Sequence, residues 1–246
     1  MFKEGDWVLI TFKDKKFLKK IDHTGNINVG KSVLRFSDVI GKLPGAEVNG
    51  FRVFHPSLED IILLGFRRKT QIVYPKDAFY ISFKLGVGPG KKVLEFGTGS
   101  GAMCAILSYL GAEVYSFESV EKFFKTAVNN LERFGLLGKT VLNNAPFEEA
   151  ELENSFFDCA FVDVKDPRPT VEKLHRVLKT GAPTCFLLPT TNQVSELLRT
   201  AEPLFGSFEV VEILHRKYKT NPDRLRPDDI MIGHTAFLIF CRKLYI

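Results

Sequence analysis

The chain has 246 residues, 45% hydrophobic and 26% charged, which suits one large globular domain or a catalytic domain with a small appendage. No apolar run approaches the roughly eighteen residues of a membrane span, and the opening MFKEGDWVLITF lacks the apolar core and cleavage site of a signal peptide, so no membrane partner is expected. The formal charge of +5 is unevenly placed: residues 1–85 hold 15 Lys/Arg against 9 Asp/Glu, while residues 86–246 hold 19 against 20.

Residues 1–56 read as a small β-rich domain, with short runs such as WVLITF, SVLRF and GFRVF separated by Gly, Asn and Pro signals. Within it KDKKFLKK (13–20) concentrates positive charge. Lys15, Lys16, Lys19 and Lys20 are candidates for phosphate-backbone contacts, or else a solvated face. At SLED the pattern changes. Ser57 and Asp60 have capping-box spacing, so a helix is expected over IILLGF, opening a second domain over residues 57–246. A further helix is expected over AFYISFKLG.

From Lys91 the rhythm is strand, turn, helix. KKVLEF, AEVYSFE, TVLNNA, FDCAFVD and PTCFLLP read as strands, and AMCAILSYL, VEKFFKTAVNNLERFG, VEKLHRVL and QVSELLRTAEPL as the helices between them. That alternation predicts an α/β fold, a mostly parallel sheet covered on both faces. The end departs from it: FEVVEILHRKY and HTAFLIFCRK are two strands with no helix between them, an antiparallel hairpin closing the sheet. The four cysteines, Cys104, Cys159, Cys185 and Cys241, sit apart in apolar segments and form no CxxC pair. Buried free thiols in a reducing cytoplasm follow, with no metal-ligand spacing.

Gly97, Gly99 and Gly101 fall between a buried strand and a helix, where they allow a tight turn and close approach of a ligand to backbone amides. Gly97, Gly99 and Ala102 also satisfy the dinucleotide pattern, and a merely structural turn is a third reading. Glu95 completes E-x-G-x-G-x-G, and with the closing hairpin it favours a Rossmann-like class I S-adenosylmethionine methyltransferase. Glu118, ending the second strand, suits two ribose hydroxyls or the cap of the next helix. Asn143 and Asn144 end the third strand and offer either an adenine-edge contact or a turn. Asp163 ends the fourth strand beside the expected switch point. The N-cap role there falls more naturally to Asp166, directly before Pro167, which leaves Asp163 to face the methyl donor as the catalytic candidate.

Together HPSLEDIILL, RRKTQIVYPKDAFYI, VLEFGTGSGAM, FVDVKDP, LPTTNQV and RPDDIMIGHTAFLIFCRK resemble the tRNA (adenine-58-N1)-methyltransferases of the TrmI family over nearly the whole chain. The resemblance implies S-adenosylmethionine as cofactor, tRNA as partner and a homotetramer. It implies that Gly97, Gly99, Ser100 and Gly101 hold the methionine part of the cofactor, that Glu118 holds its ribose, and that Gln71 and its neighbours form a flap over it. Asp163 would meet the target adenine, with Tyr74 and His234 lining the base pocket or serving packing and subunit contact. The chain departs from the family in having Asn143, Asn144, Ala145 and Pro146 where Gly-Asp is common. A methyltransferase acting on a protein carboxylate or a small molecule, or a non-catalytic RNA-binding subunit, are the competing readings.

Overall fold

The structure is a computed structural model describing residues 1–246. The chain folds into two compact units, Met1–Phe66 and Arg67–Ile246.

In the first unit, β1 (Trp7–Phe12), β2 (Lys15–Lys20), β5 (Glu47–Val48) and β6 (Phe51–Phe54) form one antiparallel sheet in the order β2-β1-β6-β5. A separate hairpin joins β3 (Asn26–Val29) and β4 (Ser32–Arg35). Val8, Ile10, Leu34, Phe51 and Val53 are fully buried in the core, the inward residues of alternating strands. The unit ends at Phe66, beyond the 1–56 expected from sequence. The capping box at Ser57 and Asp60 is present, but the turn it opens, α1 (Leu58–Asp60), widens into a π-turn over Ile61–Gly65 instead of a longer α-helix. That segment packs on β2, and Lys16 lies 3.8 Å from Asp60, so it belongs to the β unit.

The second unit is built on a seven-stranded sheet from β7 (Lys92–Phe96), β8 (Glu113–Phe117), β9 (Lys139–Asn143), β10 (Cys159–Val162), β11 (Pro183–Leu188), β12 (Phe205–Val211) and β15 (Phe237–Lys243). Their order is β12-β15-β11-β10-β7-β8-β9. Pairing is parallel from β11 through β9, and β15 lies antiparallel between β11 and β12. The closing hairpin read from sequence is therefore present, although a short ribbon, β13 (Tyr218–Lys219) with β14 (Arg226–Pro227), interrupts its loop. The helices are α2 (Pro75–Lys84), α3 (Ala102–Tyr109), α4 (Glu121–Phe134), α5 (Val171–Val177) and α6 (Thr191–Ala201). The central strands read as continuous apolar runs because helices cover both faces; every residue of β10 is buried. All four cysteines are free and buried. No helix is long and apolar enough to cross a membrane.

Strand order reverses between β7 and β10, so a crevice opens outside their carboxyl ends. Gly97 and Asp163 follow those two strands directly.

Candidate active site

A cavity of about 900 Å³ occupies that crevice, lined entirely by residues of the second unit. Its floor is the glycine turn after β7. Gly97 has φ +91°, and a Cβ there would stand 1.9 Å from the carbonyl oxygen of Asp163. Only glycine lets the turn and the end of β10 touch. Gly99, at φ +58°, would bring a Cβ 3.0 Å from Thr70 Oγ1. Gly101 differs from the sequence expectation. It does not line the cavity; it is the N-cap of α3, and its missing Cβ leaves room for Ala127 Cβ 3.2 Å away on α4. Its job is helix packing, and the backbone facing the cavity runs from Gly97 to Ser100.

Three carboxylates converge on this floor. Glu95 is fully buried within β7 and accepts a hydrogen bond from Ser116 Oγ at 2.6 Å on Oε2, while its Oε1 has no partner. Burial pushes its pKa up to about 7, against the Ser116 hydrogen bond that lowers it. Glu118 accepts from the Gly99 amide at 2.8 Å and from the Val120 amide at 2.9 Å. It therefore serves the start of α4 and still lines the cavity. Asp163 follows β10 with its carboxylate on the cavity floor, where burial first, and then the charge of Glu118, raise its pKa to about 7. Asp166 takes a separate task. Its carboxylate accepts from the Arg168 amide at 3.1 Å and pairs with the Arg168 guanidinium at 2.8 Å, holding the turn ahead of α5. The residue in the N-cap position itself is Pro167.

The upper wall comes from the irregular segment before α2. Gln71 and Tyr74 both line the cavity, joined by a 2.9 Å hydrogen bond from Gln71 Nε2 to the Tyr74 hydroxyl. Thr70 Oγ1 beside them is buried without a partner.

Two expected site residues do other work. Asn144 lies outside the lining and donates from Nδ2 to the Glu118 carbonyl at 2.9 Å, as Asn143 does to the Ser116 carbonyl at 3.3 Å. Both amides satisfy backbone at the end of β8. The wall on that side is Ala145–Glu149, where Phe147 stacks on Phe96 with ring centroids 4.3 Å apart. Lys173 anchors this wall by donating to the carbonyls of Phe147 and Glu148 at 2.7 and 2.8 Å. Sequence reasoning misses both Phe147 and Lys173; the only signal is an aromatic just past the third strand. His234 likewise does not line the cavity. It holds the Pro189 carbonyl from Nε2 at 2.9 Å and the Glu212 carboxylate from Nδ1. The lysines Lys15, Lys16, Lys19 and Lys20 are exposed on β2 of the other unit and contribute nothing to the lining.

The cavity's charged lining is acidic apart from Lys165. An acidic, glycine-floored pocket with an orphaned buried acceptor on Glu95 fits a ligand bearing an ammonium and a sulfonium, and its size is that of a small-molecule site. The residues present thus fit S-adenosylmethionine.

Sheet order, glycine turn and strand-end acids define the class I S-adenosylmethionine methyltransferase fold. A family model described as the tRNA methyltransferase complex GCD14 subunit matches residues 53–237, and the chain belongs to that family. Over 100% of this chain and 99% of the other, the structure is similar to the tRNA (m1A58) methyltransferase TrmI from Aquifex aeolicus, at 55% identity and a TM-score of 0.96. It is also similar to a SAM-dependent O-methyltransferase from Thermotoga maritima, at 36% identity and a TM-score of 0.92, covering 100% and 95% of the two chains. In sequence the chain is 33% identical over 195 residues to the tRNA (adenine(58)-N(1))-methyltransferase TrmI of Thermus thermophilus, covering 78% of this chain and 76% of that one.

Proposed function

We propose that this protein transfers a methyl group from S-adenosylmethionine to N1 of adenosine 58 in the T-loop of tRNA. One observation carries the reading: an acidic switch-point pocket with Asp163 on its floor, in a chain 55% identical over its full length to the Aquifex aeolicus TrmI. When bound, S-adenosylmethionine supplies an electrophilic methyl group on a sulfonium, which adenine N1 takes by in-line displacement.

The residues hold donor and acceptor in attack geometry. The Gly97–Ser100 backbone and Glu95 receive the amino-acid part of the cofactor, and Glu118 its ribose. Gln71 closes over it, and Tyr74 lines the pocket for the target base. Asp163 accepts a hydrogen bond from the exocyclic amine of the target adenine, which aims N1. Its charge then stabilises the positive charge left on the methylated ring, as a fixed carboxylate does best out of water. The N1 edge is engaged in RNA structure, so the base is extracted from it and stacked in the pocket. Exposed lysines, Lys15, Lys16, Lys19 and Lys20 among them, supply phosphate contacts. Work as a homotetramer in the cytoplasm is part of the same proposal; the four buried free thiols suit a reducing compartment.

The name of the Thermotoga maritima neighbour favours a second reading, transfer to oxygen. The intact glycine turn, Glu118 and Asp163 weigh against a non-catalytic subunit. Asp163→Ala tests the assignment: methyl transfer to tRNA is lost while S-adenosylhomocysteine still binds. Full activity in that variant would refute it.

A further inference from the structure

Part of the pocket lining comes from two chain segments without regular structure. One runs through Val73 and Tyr74 into α2, and the other runs through Thr235 and Ala236 into β15. No strand pairing or helix ties these segments to each other. Side chains do. Lys76 Nζ donates to both carboxylate oxygens of Asp77 at 2.7 and 2.9 Å, and to Thr235 Oγ1 at 2.8 Å. Thr235 Oγ1 donates in turn to Asp77 Oδ2 at 3.1 Å, closing a triangle across 158 residues of chain. Asp77 is 1% exposed and lines the cavity, as does Thr235. One residue earlier, His234 donates from Nε2 to the carbonyl of Pro189, a lining residue at the end of β11, and from Nδ1 to Glu212. The hydrogen bond to Glu212 first, and then the one to the Pro189 carbonyl, raise the His234 pKa.

Cofactor-side groups, namely the glycine turn, Glu118 and the Phe147 wall, take no part in either network. We propose that Lys76, Thr235 and His234 are positioning residues that clamp the first turn of α2, the segment ahead of β15 and the end of β11 into one rigid wall for the target base, leaving the cofactor half of the pocket independent. A buried ion pair is poor evidence for stability, because a close-packed apolar substitute does as well. A fully satisfied one that is tied through Thr235 to a second segment at a cavity instead fixes one geometry.

The proposal rests on the tRNA reading, and one experiment separates the two. Thr235→Val removes the hydroxyl at nearly constant shape, and Thr235→Ser restores it. Each variant and the wild type are assayed for S-adenosylhomocysteine affinity by calorimetry, and for methyl transfer at saturating cofactor with varied tRNA. Losing hydrogen bonds to two charged groups predicts a fall of about ten- to a hundredfold in kcat/KM for tRNA in the valine variant. S-adenosylhomocysteine affinity stays within about twofold, and serine recovers most of the activity. His234→Gln, which keeps one donor but not two, falls between. Unchanged kcat/KM in Thr235→Val, a matching loss of cofactor affinity, or serine as defective as valine would each overturn the clamp. A wild-type protein inactive on tRNA would instead overturn the function proposed above.

Discussion

Asp163 and Gly97 depend on each other more closely than their separation in sequence suggests. The glycine is required by the carbonyl of Asp163, so the strand-end acid and the cofactor turn are one construction. The acid itself is legible because an apolar run stopping at a carboxylate is a local pattern. The structural roles of Gly101, Asn144 and His234 are not, because what decides each lies elsewhere in the chain: Ala127 on α4, the Glu118 carbonyl, and Pro189 with Glu212. A motif gives spacing, but the partner comes only with the fold. Burial and Glu118 raise the Asp163 pKa to about 7, so the free enzyme holds a neutral acid below that pH and a carboxylate above it. A reaction needing the carboxylate is therefore weak in acid, and kcat/KM is predicted to rise through a pH of about 7. A bound sulfonium favours the charged form, so the rise in kcat lies at lower pH than the rise in kcat/KM. Replacing Asp163 by asparagine flattens this limb. A pH profile of kcat/KM unaltered by that change would assign the limb to another group.

At the level of elements, β2 shows how period two recasts a charge cluster. Lys15 and Lys19 share one side of the strand with Phe17, whereas Lys16 and Lys20 share the other with Leu18, and Lys16 pairs with Asp60. The basic run is thus two small groups on opposite faces of an edge strand. Edge lysines also discourage strand-to-strand association between molecules, which gives them a role without RNA. Charge reversal at Lys15 and Lys19 is predicted to weaken tRNA binding and to flatten its dependence on salt. An unchanged salt slope would leave those lysines as edge protection alone. The strands and long helices are legible from periodicity, and α2 merely starts earlier than expected, with Pro75 in its first turn. The turn after Ser57 is less so. Its cap is local and readable, but the π-turn that follows packs on β2, a contact the local sequence does not announce.

For the molecule as a whole, alternation of strands and helices followed by a helix-free pair is enough to give sheet, switch point and crevice. The boundary between the units falls at Phe66 because Ile61–Gly65 packs with the β unit, a tertiary choice that composition does not encode. The pocket's acidity belongs to this scale too. In a protein with a formal charge of +5, the pocket gathers Glu95, Glu118 and Asp163, while Lys15, Lys16, Lys19 and Lys20 are exposed on its surface. That division suits a cationic donor held within and a polyanion held without. The central claim is tested most directly by incubating the purified protein with methyl-labelled S-adenosylmethionine and unmodified tRNA, then digesting and mapping the product. The account predicts label in 1-methyladenosine at position 58, and none in a tRNA with guanosine there. Label on another base, or transfer to protein or small-molecule oxygen with tRNA untouched, would contradict it.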